Sequence, residues 1–264
     1  MIIAARQART ANRFAPRQTR SAVGVSTVRG KYGPSARFYL TADGSPVATG
    51  TAVSRVQDWS ARNTSISQST ASKQPLAGSR QGIPCYTFDG LNDALEVATI
   101  NLSATQAITV AVVEFRPVAT GGTIWEFSQN QNFFAGGFGA FANDIGQDFA
   151  AAYSTGGGAY QYKVVGSAIG SWRAWVVVAN RALAGVDEQK VFAQGAEINT
   201  FIANLTADIT GAWGNYASWI GSRNNGTSYA MNGSVAQVLL LDRALSTSEA
   251  SALSLEIAQA AGVA

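Results

Sequence analysis

Residues 231–262 read MNGSVAQVLLLDRALSTSEASALSLEIAQAAG, a strand-like run followed by a helix-like run. The run from Met231 to Leu241 is mostly aliphatic, with one polar face, which is typical of a β-strand. Ser246 and Glu249 then have the spacing of a capping box, so they predict the start of a helix. Four apolar residues follow at helical spacing: Ala250, Leu253, Ile257 and Ala260. The stretch therefore predicts a long strand that leads into one short C-terminal helix.

Upstream of this strand, short apolar runs alternate with turns rich in glycine, asparagine and serine. The runs are Phe38–Leu40, Val53–Trp59, Cys85–Phe88, Ala94–Val97, Ala107–Phe115, Thr123–Phe127, Phe133–Phe141, Phe149–Tyr153, Tyr160–Val165, Trp172–Ala179, Lys190–Ala193 and Ser218–Ile220. More than ten strands with no long helix between them predict an all-β antiparallel sandwich or barrel.

The composition excludes several kinds of chemistry. The chain has 264 residues, of which 47% are apolar and 13% charged, enough for a large core. It contains no histidine, which excludes a Ser-His-Asp triad, a Cys-His pair and histidine-ligated zinc. The single cysteine, Cys85, excludes an intrachain disulfide and is expected to be buried and inert. No apolar run is long enough to span a membrane as a helix.

The charge is distributed unevenly along the chain. Residues 1–42 hold eight basic residues and no acid, whereas the remainder holds 11 basic and 16 acidic residues, a net charge of −5. We divide the chain into a basic arm, residues 1–36, and a β-sandwich body, residues 37–264. Five arginines in the arm recur at a spacing of three or four residues: Arg6, Arg9, Arg13, Arg17 and Arg20. An arm without a core of its own is expected to be anchored by a partner.

Three motifs resemble a known family when they are taken in order. They are FDGLNDAL at residues 88–95, WIGS at 219–222 and LDRALS at 241–246. Together with the strand that begins at Trp172, they resemble the laminin G-like, or concanavalin A-like, jelly roll. VQDWS at residues 56–60 resembles the leading segment of variants from bacteria and their phages. The resemblance covers roughly residues 37–262 and implies two packed sheets, rim loops and a carbohydrate- or protein-binding role.

Asp89, Asn92 and Asp93 supply hard oxygen ligands within five residues, a pattern that suits calcium. A full calcium site needs six to eight oxygens, and the sequence does not identify the others. The resemblance implies an acidic pair in the last strand to support such a site, but this chain has Ala236 and Gln237 there. We therefore predict no metal or other cofactor. In this interpretation Asp89 and Asn92 accept hydrogen bonds from turn amides, and calcium remains the alternative.

The best ligand-binding candidates combine aromatic rings, amides and a guanidinium group. They are Trp213, Tyr216, Arg223, Asn224, Asn225 and Tyr229. Sugars stack on aromatic faces and form hydrogen bonds with amides and guanidinium groups, so this set predicts a glycan site. A second group comprises Tyr153, Tyr160 and Tyr162. The alternative for both groups is that the rings fill the core or form an oligomer contact.

Enzymatic activity is not expected from the carboxylates. A glycoside hydrolase needs two carboxyl groups about 5–10 Å apart across the scissile bond. On one strand this requires acids two or four residues apart on one face. Asp144 with Asp148, and Asp187 with Glu188, come closest but do not meet the requirement. The alternative is a carbohydrate-binding module, or a glycoside hydrolase or lyase of the concanavalin A-like class.

These features favour a non-enzymatic bacteriophage virion protein, either a capsid decoration protein or a tail or fibre component. The resemblance, the basic arm, the absence of an apparent signal peptide and the absence of catalytic groups support this hypothesis. It places the protein on the virion surface as a homo-oligomer, with other virion proteins bound to the arm and a host-surface glycan as a further ligand. A membrane is not an expected partner, because no apolar run is long enough to span one. Nucleic acid is not expected either, because the arm lacks the interleaved aromatic residues typical of single-strand binding.

Overall fold

The computed structural model describes residues 28, 30–32, 35–43, 50–118, 120–129, 136–142, 148–154, 160–166, 169–205 and 207–263. The strands are β1 (Ala36–Thr41), β2 (Arg55–Val56), β3 (Ile66–Ser67), β4 (Leu76–Arg80), β5 (Ile83–Asp89), β6 (Leu95–Asn101), β7 (Ala107–Phe115), β8 (Gly122–Phe127), β9 (Phe138–Ala142), β10 (Asp148–Ser154), β11 (Tyr160–Gly166), β12 (Trp172–Asn180), β13 (Gln189–Ala193), β14 (Ala196–Glu197), β15 (Ala203–Leu205), β16 (Asn215–Ile220) and β17 (Asn232–Leu241). The α-helix α1 spans Thr247–Ala261, and 3-10 helices span Ala71–Lys73 and Gly185–Asp187.

The strands form two antiparallel sheets. One sheet has eight strands in the order β14-β13-β12-β7-β17-β5-β4, with β1 also paired to β17. The other has nine strands in the order β15-β11-β10-β9-β8-β16-β6-β3-β2. The predicted all-β antiparallel sandwich is confirmed.

The main core lies between the two sheets, and a second core lies under α1. Alternate residues of β7 serve both cores, because successive side chains point to opposite faces. Val110 and Val112 face the nine-stranded sheet, whereas Ala111 and Val113 belong to the cluster that includes Leu253 of α1. Since α1 covers its outer face, the eight-stranded sheet is buried on both sides. This explains the nearly continuous apolar runs of its long strands.

The predicted capping box is present at the start of α1. The Glu249 backbone N–H donates to Ser246 Oγ at 3.3 Å, and the Ser246 backbone N–H donates to Glu249 Oε2 at 2.9 Å. Gly262 ends the helix in the left-handed conformation, with φ of 71°. No helix among the described residues is long and apolar enough to cross a membrane.

The boundary predicted between residues 36 and 37 lies too far along the chain. β1 begins at Ala36, and Val28 and Tyr32 are buried in the cluster beneath α1. Lys31 Nζ also donates to Glu256 Oε1 of α1 at 2.7 Å. The packed body therefore includes the end of the segment that we assigned to the arm. The five arm arginines, Arg6, Arg9, Arg13, Arg17 and Arg20, lie outside the described residues.

The predicted strand Val53–Trp59 is mostly a loop held by one carboxylate. Asp58 is buried and accepts hydrogen bonds from the backbone N–H groups of Tyr39, Ser60 and Thr64, at 2.8, 2.8 and 2.5 Å. The Ser60 hydroxyl donates to the same carboxylate at 2.7 Å. The loop therefore follows the geometry of this carboxylate rather than that of a sheet, and only two of its residues form β2.

Candidate functional site

The candidate site lies on the outer face of the nine-stranded sheet, the face turned away from the main core between the two sheets. Trp219 of β16 pairs directly with Glu96 of β6 on one side and with Glu126 of β8 on the other. Directly paired residues in an antiparallel sheet point to the same face, so these three side chains share one face. Glu126 in turn pairs with Gly139 of β9. A polar and aromatic row therefore crosses four neighbouring strands.

An arginine contacts two aromatic rings beside this row. The guanidinium carbon of Arg223 lies 4.8 Å from the centroid of Phe141 and 4.4 Å from that of Tyr229. The Phe141 ring lies so close to Gly139 that a Cβ there would be 1.9 Å from Phe141 Cζ. Gly139 thus provides the space for Phe141, and Phe141 supports the guanidinium through a cation–π contact.

Glu126 lies beside this guanidinium. Its Oε1 is 3.5 Å from Nε of Arg223, and the two residues are 1% and 7% exposed. Burial raises the pKa of Glu126 to about 7, although the Arg223 charge and Ser128 oppose the increase. The pair is therefore a buried ion pair whose acid changes its charge near neutral pH.

Tyr229 provides the exposed part of the site. It is 53% exposed, and its φ of 48° places a bulky residue in the left-handed region. Asn224 and Asn225 also have positive φ, at 42° and 56°. Such conformations persist only where the surroundings fix them, and they are concentrated at functional sites. Here the Tyr229 carbonyl accepts from the Thr123 backbone N–H of β8 at 2.8 Å, which ties the loop to the sheet.

The opposite side of the loop is also fixed. Asn225 Oδ1 accepts from Gln68 Nε2 at 2.8 Å, and its carbonyl accepts from Lys73 Nζ at 2.7 Å. The Gly226 backbone N–H donates to Ser222 Oγ at 2.8 Å. Residues 222–229 therefore form a loop with hydrogen bonds on both sides, which presents Tyr229 and Asn224 at the surface.

The structure separates the six predicted ligand residues into two groups. Arg223, Asn224, Asn225 and Tyr229 share the loop at residues 222–229. The assignment of Trp213 to a ligand site is wrong, because the residue is 2% exposed and its ring packs 5.2 Å from that of Tyr153 in the core. Tyr216 packs against the same core, 5.3 Å from the Phe127 ring. For Trp213 and Tyr153 the core alternative holds, whereas Tyr216 is only partly buried and its ligand role stays a prediction.

The calcium candidates form a hydrogen-bonded turn. Asp89 Oδ1 accepts from the backbone N–H groups of Leu91 and Asn92 at 2.8 and 3.2 Å. Asp93 Oδ2 accepts from the Asp89 backbone N–H at 3.0 Å. Burial, with the nearby Asp89 charge, raises the pKa of Asp93 to about 6. Two carboxylate oxygens thus already accept three hydrogen bonds within the turn, but Asn92 Oδ1 is buried without a hydrogen-bond partner. The absence of a bound metal stays a prediction.

Sequence reasoning missed Glu126, Phe141 and Trp219. The sequence shows Glu126 as an acid within the otherwise apolar run of β8. It does not show which strands lie beside β8 in the sheet. Of the carboxylates that we considered, Asp144 lies outside the described residues. Glu188 is buried, and its Oε2 accepts from the Ile209 backbone N–H at 3.0 Å.

No protein-family model matches the chain, and no curated protein matches its sequence. Solved structures match most of it. The binding domain of botulinum neurotoxin DC, in complex with rat synaptotagmin II, is 13% identical with a TM-score of 0.58, over 84% of this chain and 51% of that chain. The botulinum neurotoxin serotype D domain in complex with N-acetylneuraminic acid is 10% identical with a TM-score of 0.56, over 86% and 52%. A Trypanosoma rangeli sialidase in complex with 2,3-difluorosialic acid is 13% identical with a TM-score of 0.54, over 85% and 33%.

At these identities the matches show the fold alone. The chain spans about half the length of the two toxin domains and a third of the sialidase. The fold is an antiparallel β-sandwich of the kind found in these binding domains, as the predicted jelly roll requires. The laminin G-like family and the phage origin remain predictions.

Proposed function

We propose that the protein is a non-enzymatic glycan-binding protein whose binding surface is centred on Tyr229. The observation that carries this proposal is the contact between the buried guanidinium of Arg223 and the exposed ring of Tyr229. We call Tyr229, Asn224 and Arg223, which is 7% exposed, the Tyr229 surface. It combines an aromatic face with amide and guanidinium donors.

The chemistry of a sugar matches this combination. The C–H groups of a sugar ring pack on an aromatic face, while its hydroxyl groups accept from amide and guanidinium N–H groups. A ring already held in place loses little conformational freedom on binding, which favours affinity. The solved structures support the proposal to the extent that one domain of this fold is in complex with N-acetylneuraminic acid. Another is in complex with a protein, synaptotagmin II, so a protein receptor is a second candidate ligand.

One observation favours an enzyme instead. Glu96 and Glu126 both pair with Trp219, so they lie two strands apart on one face, about 10 Å apart at the backbone. Carboxyl groups at about this separation can act as an acid and a base on a glycoside. However, both carboxylate oxygens of Glu126 are buried, so a leaving group could not contact them in this conformation. This burial supports the non-enzymatic proposal.

The finer proposal is that the sandwich is displayed on a bacteriophage particle. The basic segment ahead of residue 28 would bind other virion proteins, and the mildly acidic body would present the Tyr229 surface outward. Mass spectrometry of purified virions, with imaging of the particles, tests this location. A protein absent from the particles would contradict the virion proposal and leave the glycan proposal standing.

A glycan array tests the glycan proposal. We expect the wild-type protein to bind a restricted set of glycans, and Tyr229→Ala to lose binding to that set. Leu255→Ala is the matched control, since Leu255 is a partly exposed apolar residue of α1 on the opposite side of the sandwich. Incubation of the bound glycans with the protein should release no product. If product is released, and the Glu126→Gln variant releases none, the protein is an enzyme and this proposal is wrong.

A further inference from the structure

We propose that Glu126 makes the Tyr229 surface select uncharged sugars over acidic ones. The inference rests on the proposed glycan-binding function and adds the class of ligand. Glu126 would act as a positioning residue through Arg223, because its own carboxylate oxygens are buried and do not reach the ligand.

The first step is the charge around Arg223. A lone guanidinium at a binding surface would attract carboxylates, because it pairs with them in a bidentate geometry. Here the acid already lies 3.5 Å from Arg223 Nε. The net charge of the pair is zero when Glu126 is ionised, so it offers an acidic sugar little attraction.

The second step is the charge of the surroundings. Glu96 faces the same side of the sheet as Glu126, one strand beyond Trp219. The turn that holds Asp89 and Asp93 borders the loop, since a Cβ at Gly226 would lie 2.1 Å from the Asn92 carbonyl oxygen. Two further cations lie on this side. Lys73 donates to the Asn225 carbonyl, and Arg55 of β2 shares the face of Glu96, because Ser67 of β3 pairs with both. Glu126, Glu96, Asp89 and Asp93 therefore outnumber Arg223, Lys73 and Arg55 by one charge, which disfavours an acidic ligand.

The third step is geometry, because Arg223 is restrained from turning away from Glu126 towards a ligand. Phe141 and Tyr229 contact it at 4.8 and 4.4 Å, and its backbone N–H donates to the Ser228 carbonyl at 3.0 Å. Burial of Glu126 keeps its charge poorly screened, so a ligand carboxylate at Arg223 would experience that charge at short range. Sugar hydroxyls, by contrast, accept from guanidinium N–H groups without charge repulsion.

The test compares neutral oligosaccharides with their sialylated counterparts by calorimetric titration at pH 8, where Glu126 is ionised. We expect the wild-type protein to bind the neutral member of a pair at least about tenfold more tightly. Glu126→Gln should reduce that ratio towards one by strengthening acidic binding. The matched control is Glu114→Gln, because Glu114 is also a buried glutamate beside an arginine, Arg116, but lies between the sheets. The Glu114→Gln variant should have the same ratio of neutral to sialylated affinity as the wild-type protein.

Preferential binding of the sialylated glycan by the wild-type protein would overturn the inference but keep the glycan proposal. The inference would also be overturned if a folded Glu126→Gln variant had the same ratio of neutral to sialylated affinity as the wild-type protein. If Glu126→Gln fails to fold, the wild-type titration repeated from pH 8 to pH 6 replaces it, and acidic binding should strengthen as the pH falls. Acidic binding that does not change with pH would contradict the inference. Failure to bind any glycan would remove the proposed function itself.

Discussion

The guanidinium carbon of Arg223 lies 4.4 Å from the centroid of the Tyr229 ring, so a nearly buried cation supports an exposed aromatic ring. The guanidinium also contacts the Phe141 ring and Glu126. An exposed tyrosine on a loop normally samples several rotamers. Here the contacts beneath it provide a fixed surface, which is the property that a sugar-binding platform needs.

Trp213 is expected to stabilise the fold and not to bind a ligand. Its ring lies in the core between Phe138 and Tyr153, so Trp213→Ala should lower the free energy of unfolding by about 3–5 kcal/mol. Tyr229→Ala should change that free energy by less than about 0.5 kcal/mol. Urea unfolding of both variants measures the difference. Equal stability of Trp213→Ala and the wild-type protein would place the ring outside the core.

Glu126 is expected to make stability fall as the pH rises from 5 to 7. Its pKa is about 7 in the folded protein against 4.5 as the reference value, so across this window the folded state holds a proton that the unfolded state has released. The contribution of Glu126 to the free energy of unfolding falls by up to about 1.4 kcal/mol per pH unit and is constant above the pKa of the folded state. Glu126→Gln removes this slope.

The quantity to measure is the difference in unfolding free energy between Glu126→Gln and the wild-type protein. It should grow from pH 5 to pH 7 and level off by pH 8. Asp93 also has a raised pKa, but it is present in both proteins, so its effect cancels. A difference that stays constant with pH would show that Glu126 is ionised throughout.

Truncation should separate the arm from the body at residue 28. Deletion of residues 1–27 is expected to leave the unfolding free energy unchanged, because Val28 and Tyr32 still pack beneath α1. Deletion of residues 1–35 removes both side chains and should cost several kcal/mol. Thermal melting of the two variants compares them. Identical melting temperatures would mean that the packing of Tyr32 contributes nothing.

Calcium is expected to change stability little. Asp89 Oδ1 already accepts two turn amides, and Asp93 Oδ2 accepts a third. At a free calcium concentration 100 times the dissociation constant, a calcium site would add about 2.7 kcal/mol to the unfolding free energy. Melting with millimolar calcium and with a chelator detects such a gain. A calcium-dependent rise in melting temperature that Asp89→Ala abolishes would establish the metal site.

The fold was largely predictable because its signals are local. The strand β17 and the Ser246–Glu249 capping box are each contained within one short segment, and both are present. The polar face that we expected of β17 is wrong, because every residue of the strand after Asn232 is buried. The Asp58 loop was not predictable in the same way. Its apolar neighbours resemble a strand, but one buried carboxylate with four donors fixes another conformation.

The site was only half predictable because its parts come from distant segments. Arg223 and Tyr229 lie six residues apart and were found together. Glu126 and Phe141 reach Arg223 from strands about 80–100 residues earlier, and only the order of strands in the sheet places them there. Trp213 and Tyr229 look equivalent in the sequence, since both are aromatics in glycine- and asparagine-rich segments. Sheet packing alone decides that one is buried and the other exposed.

Glycan binding at the Tyr229 surface is most directly tested by titrating wild-type, Tyr229→Ala and Leu255→Ala proteins with the glycan that binds best on the array. We expect saturable binding by the wild-type and Leu255→Ala proteins, and at least a tenfold loss for Tyr229→Ala, corresponding to about 1.4 kcal/mol. Equal affinities for all three folded proteins, or no glycan binding by the wild-type protein, would contradict the account.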